Sequence, residues 1–348
     1  MKKMILALCL AGCLVGCKSK KEAKKKSEIK TSPTIVKTSF KYDGKGYLKE
    51  SILYAAGKDG VLTESSNSYE VSNDSGKKIY DAYFSYENGA ESSKETNSYT
   101  YDENGNLIAV ENFYRLKLST NFYDYNYRTE YIYEGSLLKK TNRYNTSDNA
   151  KKFVGTVDYE YDANNNLISE MHTSYNSLYD DGDLEIKYEY KYDSNNQKIS
   201  YKMFSEDDNG NLRTVPDDEY IYEYDENKNM TKERCISTYF YLNTTITNET
   251  QYKYENNKLV EEVYYAIIKD GDTPNPSNKK IYTYDKKGNK SSVLSYYYDS
   301  SKSTFVESQK SEYSYNDKGE ETLETLYSFD DRNWALVRKT ETSYKMIG

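Results

Sequence analysis

Tyrosine alternates with polar residues along short segments of this chain. In "YEYKYD" (188–193) and "YIYEYD" (220–225) a tyrosine stands at every second position. This is the period of a β-strand, and it places the rings on one face of the strand. A short segment related to D-x-N-G-N follows, and then a second stretch of mixed polar and apolar residues. The pattern predicts antiparallel hairpins and almost no helix.

The hairpin signal recurs about every 30 residues, which indicates a repeat architecture. The second tyrosine of each Y-x-Y-D, or of its variants, falls at Tyr101, Tyr133, Tyr161, Tyr192, Tyr224, Tyr254, Tyr284 and Tyr315. The same phase extends back through Val71 to Tyr42 and forward to Tyr344. About ten units of two strands therefore occupy residues 38–348, and roughly twenty strands of about eleven residues are expected.

The residues of each turn suit a type I turn followed by a bulge. Aspartate at the first position can hydrogen-bond to its own backbone, and the fourth position needs a left-handed residue. Glycine supplies that residue at Gly105, Gly288 and Gly319, asparagine supplies it at Asn165 and Asn196, and Lys228 is the exception. In this register Tyr101 faces Leu107, Tyr161 faces Leu167 and Tyr224 faces Met230.

About twenty strands cannot remain a flat sheet. A twist of about 20° per strand accumulates to roughly one full rotation, and open twisted sheets seldom exceed about ten strands. We therefore predict an all-β fold of tandem ~30-residue antiparallel hairpins that form a long twisted or coiled sheet. This sheet is either an elongated superhelix or a shell closed on itself.

Composition explains the use of tyrosine. The chain has 42 tyrosines, and its hydrophobic fraction of 36% would fall to about a quarter without them. A globular domain is usually nearly half apolar, so no thick aliphatic core is expected. Tyrosine has a large apolar body and a hydroxyl that can stay in water, so ladders of tyrosines can hold a sheet of one layer.

The first residues, "MKKMILALCLAGCLVGCKSKK", have the plan of a secretory signal, with an apolar stretch too short to cross a bilayer as a helix. The ending "LVGC" (14–17) resembles the lipobox of bacterial lipoproteins, whose cysteine is acylated and becomes the new N-terminus. "LAGC" (10–13) fits equally well as letters, but cutting at Cys13 would leave a minimal apolar core. Residues 1–17 are therefore predicted to be a lipoprotein signal peptide, with Cys17 as the lipidated residue.

Charge divides the remainder into two parts. Residues 18–37 carry eight lysines and two glutamates without apolar periodicity, and they predict a basic, disordered tether. Residues 38–348 contain 38 basic and 54 acidic residues, a net charge of −16. Such a surface repels nucleic acid, so nucleic-acid binding is excluded and cations or basic partners are favoured.

The repeat resembles a known bacterial motif. "Y-x-Y-D-x-x-G-N-L" (99–107) is similar to the YD repeat of RHS-type surface proteins, and closer to YD-like repeats of lipid-anchored envelope proteins. The resemblance covers about residues 38–348. It departs from RHS in its period, in lacking the arginine that usually follows the glycine, and in lacking a C-terminal toxin, so toxin encapsulation is not expected. It implies a spiralling β-sheet on the bacterial cell envelope, lipid-anchored at the outer membrane, in the periplasm or on the cell surface.

Chemistry-bearing motifs are scarce. His172 is the only histidine, so no histidine pair can hold a metal, and we expect it to be structural or exposed. Processing at Cys17 would leave Cys235 without a partner in the chain, and we expect it to pack as a small apolar residue. No catalytic, cofactor or metal residues are predicted, and the chain is expected not to be an enzyme.

Two alternatives bear on the acidic turns and on the strands. Asp102, Asn104 and Asn106 have the spacing that opens an EF-hand loop, but no glutamate recurs at the twelfth position, so simple turn chemistry is favoured over calcium. Weak calcium sites in the acidic loops stay open. A membrane-spanning barrel needs an apolar residue at every second position on its lipid-facing side. In "KIYTYDKKG" (280–288) one face begins with Lys280 and the other with Lys279, the residue before the segment, and neither face is continuously apolar. Such a barrel is therefore not expected.

Two functions follow as expectations. The first is a non-catalytic, lipid-anchored envelope scaffold, monomeric, with a structural or adhesive role and a protein partner. The second is a glycan-binding module in which exposed tyrosines stack on sugar rings. Calcium bound in the acidic loops could assist this binding. Exposed tyrosines gathered into one groove would favour the glycan, and an even ladder would favour the scaffold.

Overall fold

The computed structural model describes residues 34–45, 47–56, 61–87, 89–147, 150–175, 183–267, 275–329 and 333–346. The predicted signal peptide, Cys17 and most of the predicted tether lie outside these residues. The first strand begins at Thr34, four residues before the predicted start of the repeats. In the described part, no helix is long and apolar enough to cross a membrane.

The described residues form twenty-one strands. They are β1 (Thr34–Tyr42), β2 (Leu48–Ala56), β3 (Leu62–Ser72), β4 (Lys78–Glu87), β5 (Ala90–Tyr101), β6 (Leu107–Leu118), β7 (Asn121–Glu134), β8 (Leu137–Asn145), β9 (Lys152–Tyr161), β10 (Leu167–Tyr175), β11 (Asp183–Tyr192), β12 (Lys198–Ser205), β13 (Asp218–Tyr224), β14 (Met230–Tyr239), β15 (Thr244–Glu255), β16 (Lys258–Ile267), β17 (Asn275–Tyr284), β18 (Lys290–Asp299), β19 (Thr304–Tyr315), β20 (Glu321–Phe329) and β21 (Trp334–Met346). A short 3₁₀ turn, Phe240–Leu242, connects β14 to β15. The predicted all-β fold of tandem antiparallel hairpins is confirmed.

The sheet closes on itself. Each strand pairs antiparallel with the next in sequence, and β1 pairs in parallel with β21, from Thr34 beside Arg338 to Tyr42 beside Met346. An odd number of up-and-down strands makes the first and last strands run in the same direction, so the closing pair must be parallel. The predicted open superhelix is therefore wrong, and the alternative of a shell closed on itself describes the topology. Closure leaves no sheet edge with unpaired backbone groups.

The turns follow the predicted chemistry. In the first complete example, the Gly105 amide donates to the Asp102 carbonyl at 3.0 Å, and the Asn106 amide donates to the Asp102 carboxylate at 2.7 Å. The φ angle of Gly105 is +82°, and Asn165, Asn196 and Lys228 adopt the same left-handed conformation in their turns. The predicted cross-strand pairs Tyr101–Leu107, Tyr161–Leu167 and Tyr224–Met230 are all present, each beside a bulge.

Two details differ from the predicted register. The residue facing Lys78 across the β3–β4 turn is Ser72, because that turn begins at Asn73, so the predicted phase at Val71 is one residue early. The same turn also occurs inside the β12–β13 connection, where the Gly210 amide donates to the Asp207 carbonyl at 3.1 Å. This additional turn lies between the repeat anchors Tyr192 and Tyr224 and is not one of the predicted hairpin turns.

The sheet is a single layer without an aliphatic core. Among the described residues only three hydrophobic side chains are buried, those of Ala82, Ala109 and Phe204. The strands make their main contacts with their two neighbours in the ring. Side-chain contacts between adjacent strands, rather than a central core, must therefore stabilise the fold.

Candidate functional site

A ladder of tyrosines joins seven of the repeat units to the strand that precedes each of them. The last tyrosine of a unit donates its hydroxyl hydrogen to a backbone carbonyl at the start of the preceding strand. The bonds, of 2.7–2.9 Å, are Tyr101 to Lys78, Tyr161 to Leu138, Tyr192 to Leu167, Tyr224 to Lys198, Tyr284 to Leu259, Tyr315 to Lys290 and Tyr344 to Glu321. These hydroxyls, expected to stay in water, are bonded to protein.

The register explains why a hydroxyl is needed at this position. Pairing between β10 and β11 begins at Ser169 beside Glu189, so Leu167 lies beyond the end of that ladder. The carbonyl of Leu167 accepts instead from Tyr192. The ladder between β16 and β17 likewise begins at Glu261, and Tyr284 satisfies the carbonyl of Leu259. Phenylalanine would leave this backbone group without a protein partner.

A second tyrosine, two residues earlier, reaches a carboxylate on the preceding strand. Its hydroxyl donates from Tyr99 to Asp81 at 2.8 Å, from Tyr190 to Glu170 at 2.9 Å, from Tyr252 to Glu233 at 3.2 Å and from Tyr282 to Glu262 at 2.7 Å. Burial, and then the carboxylate, raises the pKa of each of these tyrosines, that of Tyr252 to about 12. The tyrosines therefore stay neutral donors at physiological pH.

One unit replaces the carboxylate by an aromatic ring. Tyr201 occupies the position that Glu170 and Glu233 hold in their units, and its ring lies 5.5 Å from that of Tyr190 and 5.4 Å from that of Tyr220. The Lys198 ammonium lies 5.4–5.9 Å from the rings around it. This tyrosine cluster borders a small cavity of about 320 Å³.

A second cavity extends across β7, β8, β9 and β10. We call it the β7–β10 groove. Its volume is about 650 Å³, within the range of sites for small ligands. Its lining is formed by Tyr127, Thr129, Thr141, Arg143, Asn145, Ser147, Ala150, Lys152, Val154, Gly155, Thr156, Val157, His172, Thr173, Ser174 and Tyr175. These described residues combine hydroxyls, amides and aromatic rings, and none of them carries a carboxylate.

Gly155 shapes the floor of the groove. It lies between Arg143 on β8 and Ser174 on β10 in the register of the sheet. A Cβ atom at this position would approach the Thr173 carbonyl oxygen to 2.8 Å, which is too close for any side chain. Glycine at this position therefore allows the backbone of β10 to approach closely.

Arg143 and His172 provide the polar groups on either side. The guanidinium carbon of Arg143 lies 4.3 Å from the centre of the Tyr127 ring, which is cation–π geometry. His172 Nε2 lies 2.9 Å from Glu170 Oε2, and the other oxygen of Glu170 accepts from Tyr190. The His172 ring also packs edge-on against Tyr188 at 5.0 Å. The lone histidine is thus part of a network that includes a carboxylate two residues earlier.

The exposed tyrosines are not gathered into one groove. The most exposed of the described tyrosines are Tyr69, Tyr83, Tyr123, Tyr125, Tyr175 and Tyr297, on several different strands, and Tyr241, in the 3₁₀ turn. Only Tyr175 of these borders the β7–β10 groove. The ladder tyrosines form an even, half-buried series, as expected of a scaffold, while the groove adds one local aromatic site.

The acidic turns use their carboxylates within the turn. Both oxygens of Asp102, Asp162, Asp225 and Asp285 accept hydrogen bonds from the asparagine four residues later. Hydrogen bonds from the Asn106 side chain and backbone hold the pKa of Asp102 below its ordinary value. The described residues bring no three Asp, Glu, His or Cys side chains together in a metal-binding cluster.

Sequence reasoning did not find the groove. Gly155 is the one signal that the chain offers, since a glycine within "KFVGTVDYEY" (152–161) interrupts an otherwise continuous strand. Arg143 and Tyr127 are 16 residues apart and meet only because β7 and β8 pair. Cys235 lies on β14, half-buried, with its sulfur 3.7 Å from the Ser237 hydroxyl.

Comparisons with known proteins do not assign a family. No protein-family model and no curated protein matches this chain. A Photorhabdus luminescens Tc holotoxin pore structure matches 85% of this chain and 20% of its own, at 13% identity and a TM-score of 0.32. The TcdB2-TccC3-TEV structure matches 86% and 20%, at 10% identity and a TM-score of 0.24. This chain thus spans about a fifth of the length of both. A porin-like protein from Bacteroides uniformis matches 70% and 91%, at 9% identity and a TM-score of 0.31.

Proposed function

We propose that this chain is a non-catalytic, lipid-anchored scaffold of the bacterial cell envelope that acts as a monomer and binds a partner on its closed sheet. The observation that carries the proposal is the tyrosine ladder. Seven hydroxyl-to-carbonyl bonds recur around the ring, each from the last tyrosine of a unit to the preceding strand. The motif repeated most often is therefore used for the fold, and the surface between the ladder rungs is available for a partner.

Two features support a location on the envelope. The lipobox-like "LVGC" would anchor the chain at Cys17, and the basic segment 18–37 would space the sheet from the membrane. The net charge of −16 over residues 38–348 disfavours nucleic acid and anionic lipid as partners of the sheet.

A protein partner and a glycan partner are both compatible with such a scaffold. The broad, strongly charged surface of the ring suits a protein. The β7–β10 groove specifically favours a glycan, because it is concave, bordered by Tyr127 and Tyr175, and rich in hydroxyl and amide groups. Glycan binding is therefore our second candidate function.

One experiment separates the two partners. The full-length chain, solubilised in detergent, is incubated with envelope material treated either with a protease or with periodate, which cleaves the vicinal diols of sugars. Loss of binding after protease treatment supports a protein partner, and loss after periodate treatment supports a glycan.

Catalytic turnover would contradict the proposal. Release of cleaved sugar or peptide from the bound material, abolished by His172→Ala or Glu170→Gln while the far-ultraviolet circular dichroism is unchanged, would make the chain an enzyme. Absence of binding to either preparation would contradict the scaffold role itself.

A further inference from the structure

The β7–β10 groove differs in charge from the rest of the sheet. Residues 38–348 carry a net charge of −16, yet the described residues that line this groove include no Asp or Glu. Its lining includes the Arg143 guanidinium. A concave, cation-bearing surface on an acidic protein concentrates negative charge locally and so favours an anionic ligand.

Arg143 stands apart from the other described arginines. Each of the other five lies within ion-pair distance of a carboxylate: Arg115 of Asp124, Arg128 of Glu130, Arg213 of Asp217, Arg234 of Glu249 and Arg338 of Glu324. Arg143 has no carboxylate partner among the described residues and lies instead against the Tyr127 ring at 4.3 Å. Its donors are therefore available to an anion that enters the groove.

The chemistry of the guanidinium narrows the choice of anion. A guanidinium presents a planar fork of N–H donors that matches two oxygens of a carboxylate or sulfate. Contact with Tyr127 limits the rotation of the side chain, so less conformational entropy is lost on binding. The site thus favours a ligand with a planar carboxylate or a tetrahedral sulfate over a ligand whose negative charge is spread over many atoms.

The surroundings of Arg143 fit a hydroxyl-rich ring. Asn145, His172 and Ser174 line the same groove with groups that can donate to or accept from hydroxyls. Tyr127 supplies aromatic surface beside the guanidinium. A sugar carrying an acidic substituent combines these requirements in one molecule.

We propose that the β7–β10 groove binds an acidic saccharide, with its carboxylate or sulfate on Arg143 and its hydroxyls on Asn145, His172 and Ser174. The proposal rests on the glycan-binding candidate function and specifies its ligand class. It assigns no cleavage of the sugar to the chain.

Isothermal titration of the detergent-solubilised, full-length chain tests the proposal. The probes are an oligogalacturonate as the carboxylated saccharide, a heparin oligosaccharide as the sulfated one and a maltooligosaccharide as the neutral one. We expect one or both acidic probes to bind, and the neutral probe to bind at least about tenfold more weakly. The stronger of the two acidic probes identifies the anionic group.

Variants then locate the site. Arg143→Gln should weaken acidic-probe binding about ten- to a hundredfold, which is the loss expected for a charge-assisted hydrogen bond. Arg115→Gln is the matched control, because it removes the same charge from an arginine already paired with Asp124. Tyr127→Leu should weaken binding less than Arg143→Gln, because it removes only the ring that positions the guanidinium.

Three outcomes would overturn the proposal, and they distinguish it from glycan binding in general. Equal binding of neutral and acidic probes, unaffected by Arg143→Gln, would leave a glycan-binding protein without acid specificity. If no saccharide binds, both the acidic-saccharide proposal and the glycan-binding function are rejected. Equal weakening of acidic-probe binding by Arg143→Gln and Arg115→Gln would assign the effect to the overall charge of the protein and not to the groove.

Discussion

The Tyr101 hydroxyl donates a hydrogen bond of 2.7 Å to the backbone carbonyl of Lys78. Both residues lie beyond the end of the backbone ladder between β4 and β5. Pairing between β4 and β5 begins only at Tyr80 beside Ser98. The tyrosine therefore completes the backbone bonding between one repeat and the next. The same bond recurs at seven positions around the ring and adds to the backbone pairing between neighbouring hairpins.

Removing this hydroxyl should destabilise the fold. We expect Tyr101→Phe to lower the free energy of unfolding by about 1–2 kcal/mol, because the Lys78 carbonyl would lose its partner. Urea denaturation measures the change. Tyr123→Phe is the control, since the Tyr123 ring is 44% exposed, and it should change stability by less than about 0.5 kcal/mol. Equal effects of the two changes would contradict a structural role for the ladder.

Lys228 offers a test of the turn chemistry. It has a φ angle of +67° at the position where other turns carry glycine or asparagine. A lysine in this conformation costs about 1–2 kcal/mol in backbone strain, which glycine avoids at some cost in unfolded-state entropy. We expect stability to increase in the order Lys228, Lys228→Asn, Lys228→Gly, with a total gain of about 1 kcal/mol. A loss of stability in Lys228→Gly would show that the lysine side chain stabilises the turn.

These turns show which parts of the fold the sequence contains. Asp102, Asn106 and Gly105 lie within five residues, so their spacing alone predicts the turn, the bulge and the pairing of Tyr101 with Leu107. The bond from Tyr101 to Lys78 spans 23 residues, and it depends on where the ladder between β4 and β5 begins. The alternation of tyrosine with polar residues indicates the face of the strand on which the tyrosine lies. It does not indicate the atom to which the hydroxyl donates.

The closure of the sheet and the formation of the groove depend on contacts between residues that lie far apart in the sequence. "TIVKTSFKY" (34–42) has the pattern of any strand, and nothing within it indicates that Phe40 stacks on Tyr344 at 5.6 Å. Whether twenty-one strands coil or close is decided by accumulated twist and by the parallel pairing of β1 with β21. The groove likewise requires Arg143, Gly155 and Ser174 to lie side by side on three strands.

The closing pair can be tested by cross-linking. Thr38 and Thr342 face each other in the parallel register of β1 and β21. With the four native cysteines replaced by serine, Thr38→Cys together with Thr342→Cys should form an intramolecular disulfide on mild oxidation. Its formation is measured by faster migration on a non-reducing gel.

The control for this cross-link shifts one partner. Ser39→Cys with Thr342→Cys places the thiols on opposite faces of the sheet, and it should cross-link much more slowly. In a flat open sheet of this size the two strands would lie on the order of 95 Å apart. Absence of the Thr38–Thr342 cross-link would therefore contradict a closed sheet.

The membrane anchor is tested at Cys17. We expect Cys17→Ser to abolish the incorporation of labelled palmitate and to prevent normal lipoprotein processing, because the acylated thiol is removed. Cys13→Ser is the control and should retain the label. Label entering the Cys17→Ser protein would instead assign the anchor to Cys13.

Alkaline titration tests the burial of Tyr222 and Tyr252, each of which lies two residues before the last tyrosine of its unit. Burial, followed by the charge of Glu233, raises the pKa of Tyr222 and Tyr252 to about 12, above the ordinary value of 10.0. The folded chain therefore holds protons at pH values where the unfolded chain has lost them. By linkage, the stabilisation due to these tyrosines is fully present below pH 10 and is lost as the pH rises toward 12.

The measurement is tyrosinate absorbance in the near ultraviolet, recorded together with far-ultraviolet circular dichroism as the pH rises. We expect Tyr222 and Tyr252 to ionise late, only as the sheet unfolds. The urea-unfolded chain is the control and should titrate in one step near its ordinary pKa. Tyr222→Phe should reduce the late step by one residue. Ionisation of all tyrosines near pH 10 in the folded chain would show that the hydroxyls of Tyr222 and Tyr252 are open to water.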